Sequence, residues 1–131
     1  MFQPKSAFSG FSVNDLALAK AFYTETLGLQ VDEEGAGLVL HLPGGGIVFA
    51  YPKDNHQPAT YTMLDFVVAN IDQAVEDLQS RGVRFERYAG MPQDEKGIMR
   101  GLAHNMGPDI AWFLDPSGNI LAVLQQEAEA N

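Results

Sequence analysis

The sequence predicts an α+β fold: two βαβββ modules that form one open mixed β-barrel, or cup, with the helices on its outside. Three observations predict it. Short apolar runs that end at turn residues alternate with two stretches of helical spacing, in the same order in each half. A shift of 55 residues lays Phe11 on Phe66, Val13 on Val68, Asp15 on Asn70, Leu16 on Ile71 and Ala19 on Ala74. A shift of 73 lays Pro43 on Pro116, Gly45 on Gly118 and Ile47 on Ile120. A unit written twice within 131 residues is a specific architecture. It predicts one domain, 1–131, with module 1 at about 6–52 and module 2 at about 60–126.

The elements follow in chain order. Ala7–Val13 reads as a strand and Asp15–Leu27 as a helix, because Leu16, Ala19, Tyr23 and Leu27 recur on one face. Gly28 stops that helix. Leu29–Glu33, Gly37–Leu42 and Ile47–Tyr51 are strand candidates, the last two joined by the turn Pro43-Gly44-Gly45-Gly46. A polar connector, Pro52 to Thr60, leads into the second copy. There Tyr61–Ala69 reads as a strand. Asn70 with Gln73 three residues on resembles a capping box, and Ile71, Ala74, Val75 and Leu78 share a helix face that Gly82 ends. Val83–Tyr88 is expected to extend, and Ile110–Leu114 pairs with Asn119–Leu124 around Asp115-Pro116-Ser117-Gly118. The second copy carries an insertion, roughly Ala89 to Pro108, whose length favours a lid or a partner contact over an idle loop.

Composition removes several function classes. The chain has no cysteine, which excludes disulfides, thiolate nucleophiles and cysteine-bound zinc. Its net charge of −9 repels nucleic acid and anionic membrane, both of which need clustered Lys and Arg. No apolar stretch approaches the roughly 20 residues that span a bilayer, and MFQPKSAF lacks the apolar core of a signal peptide. The expectation is a soluble, cytoplasmic protein. Glu127 and Glu129 read as a solvated acidic tail.

Two segments, FSVNDLALAKAFYTETLGL and AWFLDPSGNILAVLQ, resemble the signature blocks of the vicinal oxygen chelate superfamily, the glyoxalase/bleomycin resistance protein/dioxygenase group. Asp15, Leu16, Phe22, Tyr23, Leu27 and Gly28 carry the first pattern; Asp115, Pro116, Gly118 and Asn119 carry the second. The likeness runs from about Ser6 to Gln125. It implies the cup fold and, in metal-dependent members, one divalent cation held by a ligand from the first and last strand of each module. Counting back from Val13 and Val68 gives Phe8 and Met63 for the first-strand positions. Counting on from Gly118 gives Ala122, and the repeat shift gives Phe49. None of the four can ligate a hard cation. The resemblance therefore implies a metal-free subgroup without cofactor, and relatives of this size imply a homodimer.

Strand alternation carries the same count to the lining of the cup. Phe8, Gly10 and Ser12 share one face, as do Tyr61, Met63, Asp65 and Val67, and as do Ile47, Phe49 and Tyr51 with Ile120, Ala122 and Leu124. Pairing the hairpins about their turns adds Val39, His41, Trp112 and Leu114. The expected ligand-binding set is Phe8, Val39, His41, Phe49, Tyr51, Met63, Asp65, Trp112 and Ala122, which suits a small apolar or aromatic molecule. A collapsed core would use the same aromatics. Asp65 reads either as a carboxylate bonded to backbone or arginine, or as a ligand-orienting or acid–base group. His41 reads as a rim histidine or a pocket donor, and His56 as a surface residue or a lip over the cup. Asp94-Glu95-Lys96-Gly97 reads as a solvated turn, with Lys96 and Arg100 as anion contacts. Two classes remain: a metal-free binding protein, and a divergent lyase, isomerase or dioxygenase-like enzyme with Asp65 or His41 as base.

Overall fold

A computed structural model describes residues 1–129, and the chain divides into two compact units after Gln57, inside the expected connector. The first unit contains β1 (Ser9–Val13), α1 (Leu16–Ala21) with a π-helical turn over Phe22–Thr26, β2 (Gln30–Glu34), β3 (Gly37–His41) and β4 (Ile47–Pro52). Its four strands lie in the order β1-β4-β3-β2. β1 runs parallel to β4, and the other pairs are antiparallel. Asp15 caps α1 by accepting from the Leu18 amide at 3.0 Å. The expected single helix changes form after Ala21 for a local reason. The Thr24 hydroxyl donates to the Lys20 carbonyl at 2.7 Å, the acceptor that a regular helix keeps for the Thr24 amide. The widened turn buries Tyr23 completely against Phe11, and Val13, Ala19, Leu38, Leu40, Val48 and Ala50 complete this core.

The second unit repeats the plan with β5 (Thr62–Val67), α2 (Ile71–Ser80), β6 (Met99–Arg100), a 3-10 turn at Leu102–His104, β7 (Asp109–Leu114) and β8 (Ile120–Gln125). The order is β5-β8-β7-β6, with β5 parallel to β8. Asn70 caps α2 through the Gln73 amide at 3.0 Å, and Gly82, with φ of 92°, turns the chain away at its end. Ile71 and Val75 pack with Ala111, Phe113, Leu121 and Val123.

The edge of this sheet departs from the expectation. Val83–Tyr88 does not form a strand; it makes one bridge, Phe85 to Phe113, and one further bond from the Glu86 amide to the Trp112 carbonyl. The regular edge strand comes from inside the insertion, where Met99 and Arg100 pair with Ile110 and Asp109. The edge position beside β7 is therefore filled in two pieces, with 87–98 looping out between them. Among the described residues, no helix is long and apolar enough to cross a membrane.

Candidate functional site

In each unit the helix packs on one face of that unit's sheet. On the first sheet, Phe11 and Val13 of β1 and Val48 and Ala50 of β4 are buried on the helix side. Alternation puts Gly10, Ser12, Ile47, Phe49 and Tyr51 on the opposite face. The hairpin register is the one expected from symmetry about the turn, with Val39 opposite Phe49 and His41 opposite Ile47. Two rings dominate this face. Phe49 and Tyr51 lie 6.2 Å apart at 20°, nearly parallel, and Tyr51 is 38% exposed. Phe49 lies over Gly37, where a β-carbon would come within 2.5 Å of its Cζ atom.

The polar groups of this face are mostly committed. His41 Nε2 meets Asp32 Oδ2 at 2.7 Å, an exposed pair across β2 and β3. Asp32 went unnoticed in the sequence, although it stands opposite Val39 and therefore on the face of His41. Ser12 Oγ and His56 Nδ1 share a hydrogen bond of 2.6 Å, so the connector folds back onto β1 and His56 sits against the helix-free face. Phe8 precedes β1 and is 65% exposed.

On the second sheet, Asp65 registers with Ala122, and Ala122 with Trp112. Strict alternation fails at one point. A bulge between Thr62 and Leu64 leaves Met63 half-buried and without a register partner, and aligns Thr62 with Ile120. Thr62 is the residue that period-two counting missed: its Oγ1 accepts from the Trp112 indole N–H at 3.0 Å. The indole thus reaches from β7 across the wholly buried Ala122 to β5. A bulky residue at 122 would lift it. Tyr88 closes the other side with its ring edge-on at 5.6 Å, leaving Trp112 8% exposed. Among the described residues the buried Tyr88 hydroxyl has no hydrogen-bond partner, and its burial pushes its ionisation upward.

Asp65 is exposed, and no hydrogen bond or ion pair holds it among the described residues. Partial desolvation holds the carboxyl above its ordinary range. Among the described residues there is no backbone or arginine partner that would make it structural.

The insertion is built into the second unit. The Gln93 side chain donates to the Glu86 and Gly97 carbonyls and accepts from the Tyr88 amide, all within 2.9 Å. Arg100 donates to Asp72 through both terminal nitrogens, at 3.0 and 2.7 Å, and to Asp94 at 3.0 Å. Lys96 reaches Asp72 and Glu76. Lys96 and Arg100 are therefore engaged by carboxylates of the chain itself, which corrects their reading as anion contacts. Asp94 likewise takes backbone bonds from Lys96 and Ile98 and is not a simple solvated turn.

The Arg100 guanidinium, with Lys96, lowers the Asp72 carboxyl to about 2. A carboxylate depressed in the folded state adds stability that is complete above its ordinary value of 3.8 and is lost as pH falls from about 4 toward 2. Arg100→Met should cost about 1 kcal/mol at neutral pH, because these side chains are 33–42% exposed and solvent screens their pairing. Urea unfolding across pH 2–7 checks it. The wild-type advantage should shrink on the acid side, and an unchanged difference at pH 2 would contradict the assignment.

A family model described as Glyoxalase/Bleomycin resistance protein/Dioxygenase superfamily matches residues 8–123. No curated protein matches the chain by sequence. Solved structures share its fold. TnmS3, an antibiotic binding protein from Streptomyces sp. CB03234, is 24% identical with a TM-score of 0.65, covering 96% of this chain and 100% of that one. The fosfomycin resistance protein FosX from Listeria monocytogenes is 15% identical with a TM-score of 0.67, covering 96% of each chain. Lactoylglutathione lyase from Agrobacterium tumefaciens is 18% identical with a TM-score of 0.62, covering 93% of this chain and 94% of that one.

Proposed function

We propose that this chain, which belongs to the Glyoxalase/Bleomycin resistance protein/Dioxygenase superfamily, binds a small apolar or aromatic molecule and works without a divalent metal. The observation that carries the reading is the near-parallel ring pair of Phe49 and Tyr51, laid over a glycine on the sheet face opposite the unit's own helix. Flat aromatic surface of this kind binds by burial and stacking, and it requires no bond to break. On the first sheet the ligand-facing residues of this reading are Phe8, Val39, His41, Phe49 and Tyr51. On the second they are Met63, Asp65, Trp112 and Ala122. That a protein named for antibiotic binding shares the fold gives the reading a precedent.

The donor chemistry supports the metal-free part. Phe8, Phe49 and Ala122 offer no donor atom, and Met63 offers only a soft thioether. Among the described residues, no group of three or more His, Asp or Glu side chains is arranged to hold a cation. The reading has the whole chain act as one domain, paired as a homodimer, in the cytoplasm. Sedimentation checks the pairing.

A second reading rests on Asp65 alone. A carboxylate without partner, held above its ordinary range, is a stronger base than a solvated one. It suits proton abstraction by a divergent enzyme of the superfamily. His41, already paired with Asp32, is the weaker candidate.

Thermal melts with nickel, zinc, manganese and iron test the first reading. A cation that does not prefer the folded state leaves the midpoint where it was. Methylglyoxal with glutathione should not be turned over with any of these metals. A stoichiometric metal that raises the midpoint would overturn the metal-free assignment and favour the enzyme.

A further inference from the structure

Resting on that reading, we infer that the molecule bound at the second sheet carries a protonated amine or amidine, held by the Asp65 carboxylate beside the Trp112 indole, with its apolar part on Val67. The case begins with a contrast inside one unit. Asp72, Asp94 and Asp109 all face Arg100, Asp77 pairs with Arg81, and Asp115 takes the amides of its own turn. Asp65 is the one aspartate there with no bond of any kind among the described residues. The available cations do not serve it either. Arg81, Lys96 and Arg100 are ion-paired, and Arg87 donates to the Glu95 carbonyl. Arg84 makes no ion pair with Asp65.

The Asp65 carboxylate is exposed, so a ligand reaches it from solvent, and its partial desolvation favours a partner of opposite charge. Its neighbours define what such a ligand meets. Asp65 stands opposite Ala122, which the indole crosses to reach Thr62, so the carboxylate and the ring edge share one stretch of β5. Two residues along β5, Val67 is 59% exposed and pairs with Leu124. A cation at Asp65 gains a charge-assisted hydrogen bond on the strand next to the one the indole crosses. A metal would find one carboxylate, too few donors to replace its water. An anion is repelled, and a neutral hydroxyl would make the weaker bond.

Three matched probes test this: 1-naphthylmethylamine, 1-naphthylmethanol and 1-naphthoic acid, each titrated into the full chain and followed by amide NMR shifts of the second sheet. The amine should bind about tenfold more tightly than the alcohol, and the acid more weakly than either. Asp65→Asn should bring the amine to the affinity of the alcohol and leave the alcohol unchanged. Because Asp65 has no partner to lose, the same variant should melt no lower than the wild type. Equal binding of amine and alcohol to the wild type would overturn the inference while leaving the binding reading in place. So would a loss common to both probes in Asp65→Asn, or a lower melting point. If none of the three moves a resonance of either sheet, the small-molecule reading falls as well.

Discussion

Asp115→Ala should lower the stability of the fold by about 4 kcal/mol, because buried amides left without acceptors cost about 1–3 kcal/mol each. The Asp115 carboxylate is nearly buried and accepts from the Ser117 amide at 2.8 Å, the Asn119 amide at 3.0 Å and the Asn119 side chain at 2.9 Å. Those three donors point inward, and Ser117 and Asn119 are themselves buried, so water does not replace the lost acceptor. The turn they close sets the register between β7 and β8, and through it the placement of Trp112 against Ala122. Urea unfolding measures the loss. Asp115→Asn, which keeps one carbonyl acceptor, should recover roughly half of it. Equal losses in the two variants would mean that the negative charge, not the acceptor geometry, holds the turn.

The same turn shows what was legible in the sequence. Asp-Pro-Ser-Gly-Asn between two apolar runs announces a hairpin, and symmetry about it predicts the pairing of Trp112 with Ala122 that the structure has. The Asn70 cap was legible for the same reason, a short polar side chain immediately before an apolar helical face, whereas Asp15, read as the first helical residue, proves to be the cap of α1. Period-two counting held on β1 and β4, where no residue is inserted. It failed on β5, because a bulge leaves no mark on the pattern of apolar residues and only the partner strand reveals it.

The insertion was opaque for a different reason. Met99 and Arg100 form too short a strand to show alternation, and what fixes them lies far away in sequence. Arg100 meets Asp72 across 28 positions, and no local pattern encodes a bond of that kind. Charged residues in a loop read as solvated because most are. The polar surroundings of the candidate site were hidden in the same way. Asp32 and Tyr88 matter through contacts with His41 and Trp112 that depend on which strands become neighbours. Asp65, conversely, was conspicuous from the outset as a carboxylate on an apolar strand, and the structure adds that nothing among the described residues bonds to it.

Gly37→Ala should destabilise the first unit by about 3 kcal/mol, at the upper end of what one added methyl costs in a packed site. A β-carbon at position 37 would sit 2.5 Å from Phe49 Cζ and 2.6 Å from the Ala50 carbonyl oxygen, both well inside contact distance. The ring can rotate away, but the carbonyl belongs to β4, which is fixed by its pairing with β1 and β3. Relief of the ring contact alone would tilt Phe49 out of its parallel arrangement with Tyr51. The substitution should therefore weaken binding of flat aromatic molecules even under conditions where the fold survives. Combining Gly37→Ala with Phe49→Leu separates the two clashes, because contacting residues couple in a double-mutant cycle. The second substitution should restore part of the stability by emptying the space of the ring, and none of the aromatic binding. Full recovery of stability would mean that the Ala50 carbonyl yields easily. Aromatic binding undiminished in Gly37→Ala would remove the Phe49–Tyr51 pair from the binding surface.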